Sequence, residues 1–207
     1  MGRDLSPKFK RSRREGIDLH PDLDKAGTAK SPLIRKGYAP GAHGAKGGFI
    51  KITNYGKQLR EKQKAKRVYG VMEKQFRNYY KKAIKIEGDT GEQILALLES
   101  RLDNVVYRLG FAKTRPAARQ MVSHGHILVN TKKNTIPSAF ISIGDEIEVK
   151  ASVADNDLYK AKIKEIDRDA PNWLTKENFK GKVVTDPDLD DTKQIIDVRQ
   201  IIEFYSR

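Results

Sequence analysis

The chain has 207 residues, room for one large or two small domains, and 38% of them are hydrophobic, enough for a modest core. Its net charge is +14 and it has no cysteine, which excludes disulfides and thiolate zinc sites. No apolar run approaches the roughly 20 residues of a membrane span, and the first residues carry no hydrophobic signal segment, so a cytoplasmic protein is expected.

The charge is unevenly spread. Residues 1–90 hold 23 Lys+Arg against 9 Asp+Glu, whereas residues 91–207 hold 18 of each. Between Asp24 and Glu61 there is no acid at all, so this region repels itself and calls for a polyanion, nucleic acid above all. The bland alternative is a solvated basic tail.

In chain order, residues 1–45 combine a basic cluster (Lys8, Lys10, Arg11, Arg13, Arg14) with Pro32, Gly37, Pro40, Gly41 and Gly44, a composition that predicts little regular structure. Glycine lets backbone amides approach a phosphate, and Arg35, Lys36 and Lys46 supply charge nearby. Gly41-Ala42-His43-Gly44 fits the GxxG of a KH domain but lacks helices to present it. From Gly56 to about Ile86 the pattern is helical. It is first very basic (Lys57, Arg60, Lys62, Lys64, Lys66, Arg67), then amphipathic, with Tyr69, Met72, Phe76, Tyr79 and Ala83 at three-four spacing. These aromatics read as core before they read as a base-stacking platform.

The stretch from Leu97 to Val149 has the densest structural signals. Thr90 and Gln93 have capping-box spacing, and Ile94, Leu98, Leu102, Val105 and Leu109 form one apolar stripe on a helix that stops at Gly110. Thr114 caps a second helix that tolerates Pro116 in its first turn, buries Ala118, Met121 and Val122, and ends at Gly125. The period then becomes extended: Ile127 to Val129 form a strand, Asn130 to Asn134 a polar turn, and Ile147 and Val149 alternate with Glu146 and Glu148. Beyond it, residues 150–207 are weakly acidic. Tyr159, Ala161, Ile163 and Glu165 alternate like a strand, and Trp173 and Leu174 suit a hydrophobic anchor in a loop. Asp186, Asp188, Asp190 and Asp191 lack EF-hand spacing and read as a solvated turn. Asp197 caps a last helix with Val198, Ile201, Ile202 and Tyr205 on one face, which needs a partner, the helical region before residue 90 being the candidate.

The runs Leu98-Glu99-Ser100-Arg101-Leu102-Asp103-Asn104-Val105-Val106-Tyr107-Arg108, Thr114-Arg115-Pro116-Ala117-Ala118-Arg119-Gln120 and Ser123-His124-Gly125-His126-Ile127-Leu128-Val129-Asn130 resemble the RNA-binding domain of the bacterial small-subunit ribosomal protein four family. Pro40-Gly41-Ala42-His43-Gly44, Gln58 to Lys64, Gln75 to Tyr80 and Glu203-Phe204-Tyr205-Ser206 extend the resemblance over nearly the whole length. Part of that family carries four zinc-binding cysteines near the N-terminus, and this sequence departs from it by having none.

The expectation is an α+β chain: a helical domain plus a small RNA-binding module of helix-turn-helix packed on an antiparallel sheet, with a basic irregular N-terminal arm. The arm is 1–45, the helical domain 46–90 completed by 185–207, and the RNA-binding domain 91–184 with its core at 97–150. The resemblance implies a structural, non-catalytic component of the small ribosomal subunit, an early binder of the 5′ domain of small-subunit rRNA. It further implies contact with small-subunit ribosomal protein five, a place near the path by which messenger RNA enters, and an effect on decoding accuracy. No cofactor is expected.

Arg115, Arg119, Lys132 and Lys133 are expected to meet phosphates, and Gln120, His124 and Asn130 to hydrogen-bond backbone or 2′-hydroxyl groups, with Thr114 setting the start of the helix. Arg13, Arg14, Lys46, Arg60, Lys62, Lys64 and Arg101 complete the candidate RNA-binding set. Asp103 is the best isolated carboxylate, but between Arg101 and Arg108 it reads as a structural ion pair. Two other readings stand beside this one: an RNA-modifying enzyme of the pseudouridine synthase type with an appended RNA-binding domain, and a DNA-binding helix-turn-helix protein, which lacks an evident dimer element.

Overall fold

The computed structural model describes residues 6–23, 26–45, 52–166 and 168–207. Its helices are α1 (Lys8–Glu15), α2 (Pro32–Arg35), α3 (Asn54–Tyr69), α4 (Glu73–Ala83), α5 (Thr90–Glu99), α6 (Leu102–Arg108), α7 (Arg115–Ser123), α8 (Ala151–Ala154), α9 (Asp157–Lys164), α10 (Asp190–Ile195) and α11 (Val198–Tyr205). Its strands are β1 (Ile127–Val129), β2 (Lys132–Lys133), β3 (Glu146–Val149), β4 (Leu174–Glu177) and β5 (Lys180–Val183). The chain is α+β and divides into two compact units, Met1–Gly91 with Thr192–Arg207, and Glu92–Asp191.

In the first unit, the Thr53 hydroxyl accepts the Gly56 N–H and starts α3. The helix stops at Gly70, whose φ of 62° is left-handed, and the Val71 N–H turns back to the Lys66 carbonyl. The single helical stretch read from Gly56 to Ile86 is therefore two helices. Of its stripe, Tyr69, Phe76 and Ala83 are buried, while Met72 lies exposed at the junction. α11 packs on α3, with Ile201 fully buried and the Asp197 carboxylate accepting the Arg199 N–H. The Tyr205 ring lies 4.7 Å from Tyr80 and 6.3 Å from Phe76.

The N-terminal segment has more regular structure than its composition predicts. α1 packs on α2 and α3, and the Ser12 hydroxyl, itself buried, accepts the Leu19 N–H. Arg13 donates to the Lys36 and Tyr38 carbonyls at 3.1 and 3.2 Å, and Arg14 to the Pro40 carbonyl at 3.1 Å. These distant carbonyls satisfy the arginines, and the helix they belong to gains an anchor that no local pattern announces.

In the second unit the strand order is β2-β1-β3-β5-β4, antiparallel throughout, with Val129 opposite Lys132, Ile127 opposite Val149, Ile147 opposite Gly181 and Leu174 opposite Val183. Asn130 and Thr131 both have positive φ, 49° and 66°, the signature of a two-residue I′ hairpin. Lys132 and Lys133 are thus an edge strand rather than part of a polar turn. The side chains of Val105, Val106, Phe111, Ala118, Val122, Ile127, Ile147 and Trp173 meet in one core. Gly181 is required there: a Cβ would fall 2.5 Å from a Leu109 methyl.

Two readings are corrected here. The segment read as a strand through Tyr159, Ala161, Ile163 and Glu165 is α9, whose N-terminus is capped by the Asn156 side-chain oxygen. Tyr159 and Ile163 are four residues apart and share a helical face, which the alternation concealed. The strands that complete the sheet are instead β4 and β5, joined at Asn178 (φ 51°), and Leu174, read as a loop anchor, opens β4 beside buried Trp173.

Glu73 ties α4 to α3 and α11: Lys62 Nζ lies at 2.9 Å, Lys66 Nζ at 2.7 Å, and the Tyr205 hydroxyl donates to it at 2.8 Å. Burial works against the charge of this carboxyl, but hydrogen bonds from Lys66, Lys62 and Tyr205 outweigh it and hold its pKa at about 2, below the ordinary 4.5. Because the folded value is depressed, the stability Glu73 contributes is present above pH 4.5 and is lost as the pH falls through about 2. The stability advantage of the parent over Glu73→Gln, followed by denaturant titration, is expected to shrink across that interval.

Candidate nucleic-acid interface

α7 begins where the Thr114 hydroxyl accepts the Ala117 N–H at 3.3 Å, with Pro116 in the first turn, and its C-terminal turn closes at Gly125 (φ 72°). Thr114, Gly110 and Gly125 therefore act as the sequence predicts. The helix preceding it does not run unbroken from Thr90 to Gly110. It is interrupted at Ser100 and Arg101, where the Ile141 N–H donates to the Ser100 carbonyl, the Leu102 N–H to Ala139 and the Asp103 N–H to Pro137. A bridge between Arg101 and Phe140 takes the place of one helical turn.

That interruption seats a buried polar network. Arg101, only 3% exposed, grips Asp103 with Nε at 3.0 Å and Nη2 at 2.8 Å. Arg108 grips the fully buried Glu99 in the same two-pronged way at 3.0 and 2.9 Å, and the Asn104 amide donates to both the Glu99 carbonyl and its carboxylate. Two arginines of α7 dock onto it: Arg115 Nε donates to Asn104 Oδ1 at 2.9 Å, and Arg119 Nη1 lies 3.2 Å from Asp103 Oδ2. The Arg115 guanidinium also sits 4.3 Å from the Tyr107 ring centre, and that of Arg168 lies 3.8 Å from the same centre. α6 thus holds the two arginines of α7 in fixed orientations, a preorganised arrangement for anions such as phosphates.

The other candidates fall into groups. Gln120 is exposed on α7 and His124 at its C-cap, and Lys132 and Lys133 are exposed on β2. Lys133 is brought to the end of α7, since a Cβ at Gly125 would lie 2.1 Å from its Cε. Asn130 is held by the start of β3, donating to Asp145 at 2.7 Å and accepting the Glu146 N–H at 2.9 Å.

Arg101 is corrected from a surface contact to a structural one, because its guanidinium is buried against Asp103. Lys62 is corrected likewise: it is 5% exposed, bonded to Glu73, and 4.0 Å from the Phe204 ring centre. Arg13, Arg14, Arg60, Lys62 and Lys64 belong to the first unit, where Arg60 reaches Glu15 at 3.5 Å and Lys64 binds Glu61 and the Ile195 carbonyl. Lys46 lies outside the described residues. Glu99, Asn104 and Arg168 were not singled out as functional. They sit between five and 61 residues from their partners, and only the resemblance motif spanning Glu99 to Arg108 marks two of them. Among the described residues no three metal-ligating side chains cluster.

The chain matches the family descriptions "Ribosomal protein S4/S9 N-terminal domain" over residues 3–99 and "S4 domain" over residues 100–147. It is 50% identical to small ribosomal subunit protein uS4 of Clostridium tetani, over 100% of both chains. It is 49% identical to uS4 of Thermoanaerobacter sp. (strain X514), again over 100% of both, and 47% identical to uS4 of Clostridium beijerinckii over 94% of each. The chain belongs to the uS4 family. Members of uS4 are structural proteins of the small ribosomal subunit and not enzymes, so the reading as an RNA-modifying enzyme is set aside. The S4 domain boundary at residue 100 coincides with the interruption between α5 and α6.

The network under α7 predicts an asymmetry between its members. Asp103→Ala leaves buried Arg101 without its carboxylate, and is expected to cost about 3–5 kcal/mol in denaturant unfolding. Arg119→Ala, at the more exposed end, is expected to cost about 1 kcal/mol or less.

Proposed function

We propose that the chain binds the 5′ domain of small-subunit rRNA early in assembly, through the α7–β2 surface of its second unit. Arg115, Arg119, Lys132 and Lys133 meet phosphates, and Gln120 and His124 hydrogen-bond backbone or 2′-hydroxyl groups of a folded junction, so that RNA shape rather than base sequence is recognised. Thr114 sets the helix start, and Asn130 fixes the hairpin that presents the lysines. Arg13, Arg14, Lys46, Arg60 and Lys64 add long-range attraction from the basic first unit. The observation that carries this reading is the pair of guanidinium groups on α7 locked by Asn104 and Asp103. Locked donors lose little conformational freedom on meeting phosphates.

In the same proposal the weakly acidic stretch after residue 150 serves protein contact, with small-subunit ribosomal protein five as partner. The protein works in the cytoplasm, in the ribosome, beside the path by which messenger RNA enters, and so affects decoding accuracy. A chemical footprint on deproteinised small-subunit rRNA tests the primary site: protection confined to the 5′ domain supports it, and protection elsewhere refutes it.

Binding is expected to weaken steeply with salt, in proportion to roughly 6–10 phosphate contacts. Replacing Lys132 and Lys133 together by alanine is expected to flatten the slope of log affinity against log salt by about 1–2 without lowering thermal stability. Arg115→Ala is expected to reduce affinity and stability together, since Asn104 loses its donor. Filter binding over a salt series beside thermal melts reads both, and identical slopes in parent and lysine variant refute the phosphate role.

A further inference from the structure

α7 is joined to α6 by the link from Leu109 to Thr114, and the path of that link decides where Arg115 and Arg119 lie. Its carbonyls are held from far along the chain. The Tyr159 hydroxyl on α9 donates to the Phe111 carbonyl at 2.9 Å. Arg168 donates from Nη2 to the Lys113 carbonyl at 3.2 Å and from Nη1 to the Tyr107 carbonyl, in the last turn of α6, at 2.8 Å. One guanidinium thus bridges the end of α6 and the residue just before the Thr114 cap of α7. A cation bonded to carbonyls at a helix C-terminus is favourably placed on both counts. Tyr159 and Arg168 both lie beyond residue 147, outside the S4 domain.

The Arg168 guanidinium also lies 3.8 Å from the centre of the buried Tyr107 ring, against which the Arg115 guanidinium rests at 4.3 Å. Arg115 and Arg168 therefore share one aromatic side chain, and Arg115 is held besides by Asn104. The segment that carries the clamp is itself anchored. Tyr159 packs on the core with its ring centre 6.0 Å from that of Phe179, in the turn between β4 and β5. A Cβ at Gly110 would fall 3.1 Å from Lys176 Nζ, 3.6 Å from the Arg168 carbonyl oxygen and 3.8 Å from an Ile166 methyl, so β4 and the chain around Arg168 press on the turn that ends α6.

We infer that Arg168, seconded by Tyr159, is a positioning residue for RNA binding: it clamps the link between α6 and α7 and so holds Tyr107 and Arg115 in place, without itself meeting RNA. This rests on the α7–β2 surface proposed above, and it gives the stretch after residue 150 a second task beside protein contact. Spanning two carbonyls while lying against a ring requires the planar fork of a guanidinium, which an ammonium lacks.

Two measurements on the full chain test it. In the free protein, Arg168→Ala is expected to speed amide exchange several-fold at Ala117 and Ala118, the first bonded amides of α7, while Lys164→Ala, which removes an exposed cation of α9, leaves it unchanged. In filter binding to a 5′-domain fragment of small-subunit rRNA, Arg168→Ala is expected to lower affinity about tenfold, Arg168→Lys nearly as much, and Tyr159→Phe, which removes one oxygen and keeps the ring, about threefold. A double-variant cycle separates positioning from contact. Arg168→Ala is expected to cost less than about twofold when added to Arg115→Ala, but its full loss when added to the Lys132 and Lys133 variant. Unchanged exchange in Arg168→Ala, full affinity in Arg168→Lys, an equal loss in Lys164→Ala, or losses at Arg168 and Arg115 that multiply each overturns the inference. A lysine variant that keeps the parent's salt slope refutes the α7–β2 reading and the inference with it. Multiplying losses beside a flattened lysine slope refute the inference alone.

Discussion

The interruption between α5 and α6 is the constraint on which the second unit depends. Had the helix run on through Ser100 and Arg101, their backbone groups would have bonded within it. Instead the Ser100 carbonyl accepts the Ile141 N–H and the Leu102 and Asp103 N–H groups donate to Ala139 and Pro137, while the Arg101 side chain pairs with Asp103 and that of Asn104 reaches Glu99. Buried charges are tolerated only when paired and hydrogen-bonded, and here Asp103 receives Arg101 and Arg119 while Glu99 receives Arg108 and the Asn104 amide. The network then fixes the two arginines that α7 contributes to its surface.

The first unit solves a different problem, how to fold a strongly basic sequence. Three glutamates answer it. Glu15 receives Arg60 and Arg67, Glu61 receives Lys64, and Glu73 receives Lys62 and Lys66. Five of the six cations of α3 are thereby paired with carboxylates within the fold. The same logic explains why α11 matters to this unit: the Tyr205 hydroxyl donates to Glu73, and the Phe204 ring lies over the Lys62 ammonium.

Membership of the uS4 family and the geometry of α7 bear on function in separate ways. The family says that the chain is a structural ribosomal protein. The geometry says which side chains are held in place and which are exposed, and so divides the candidate residues into those that build the surface and those that present charge on it. Arg101 and Lys62 move into the first group because a side chain enclosed by protein on every side has nothing left to offer a ligand. Lys132 and Lys133 remain in the second because they occupy an edge strand.

The sequence by itself determined what depends on neighbours three or four residues away. The Thr114 and Asp197 caps, the stops at Gly110 and Gly125, the apolar stripe of α11 and the concentration of positive charge in the first 90 residues were all legible, as were the motifs that point to the family. Only the tertiary structure decided the break at Ser100, the helix over Asp157–Lys164 in place of a strand, the hairpin of β4 and β5, and which cations are paired. The break rests on backbone bonds to residues nearly forty positions away, and the pairing of Glu73 with Tyr205 spans 132. Local pattern sets how a segment prefers to fold. Which partner satisfies its buried polar groups is settled when distant segments meet, because a hydrogen bond is directional and an apolar stripe is not.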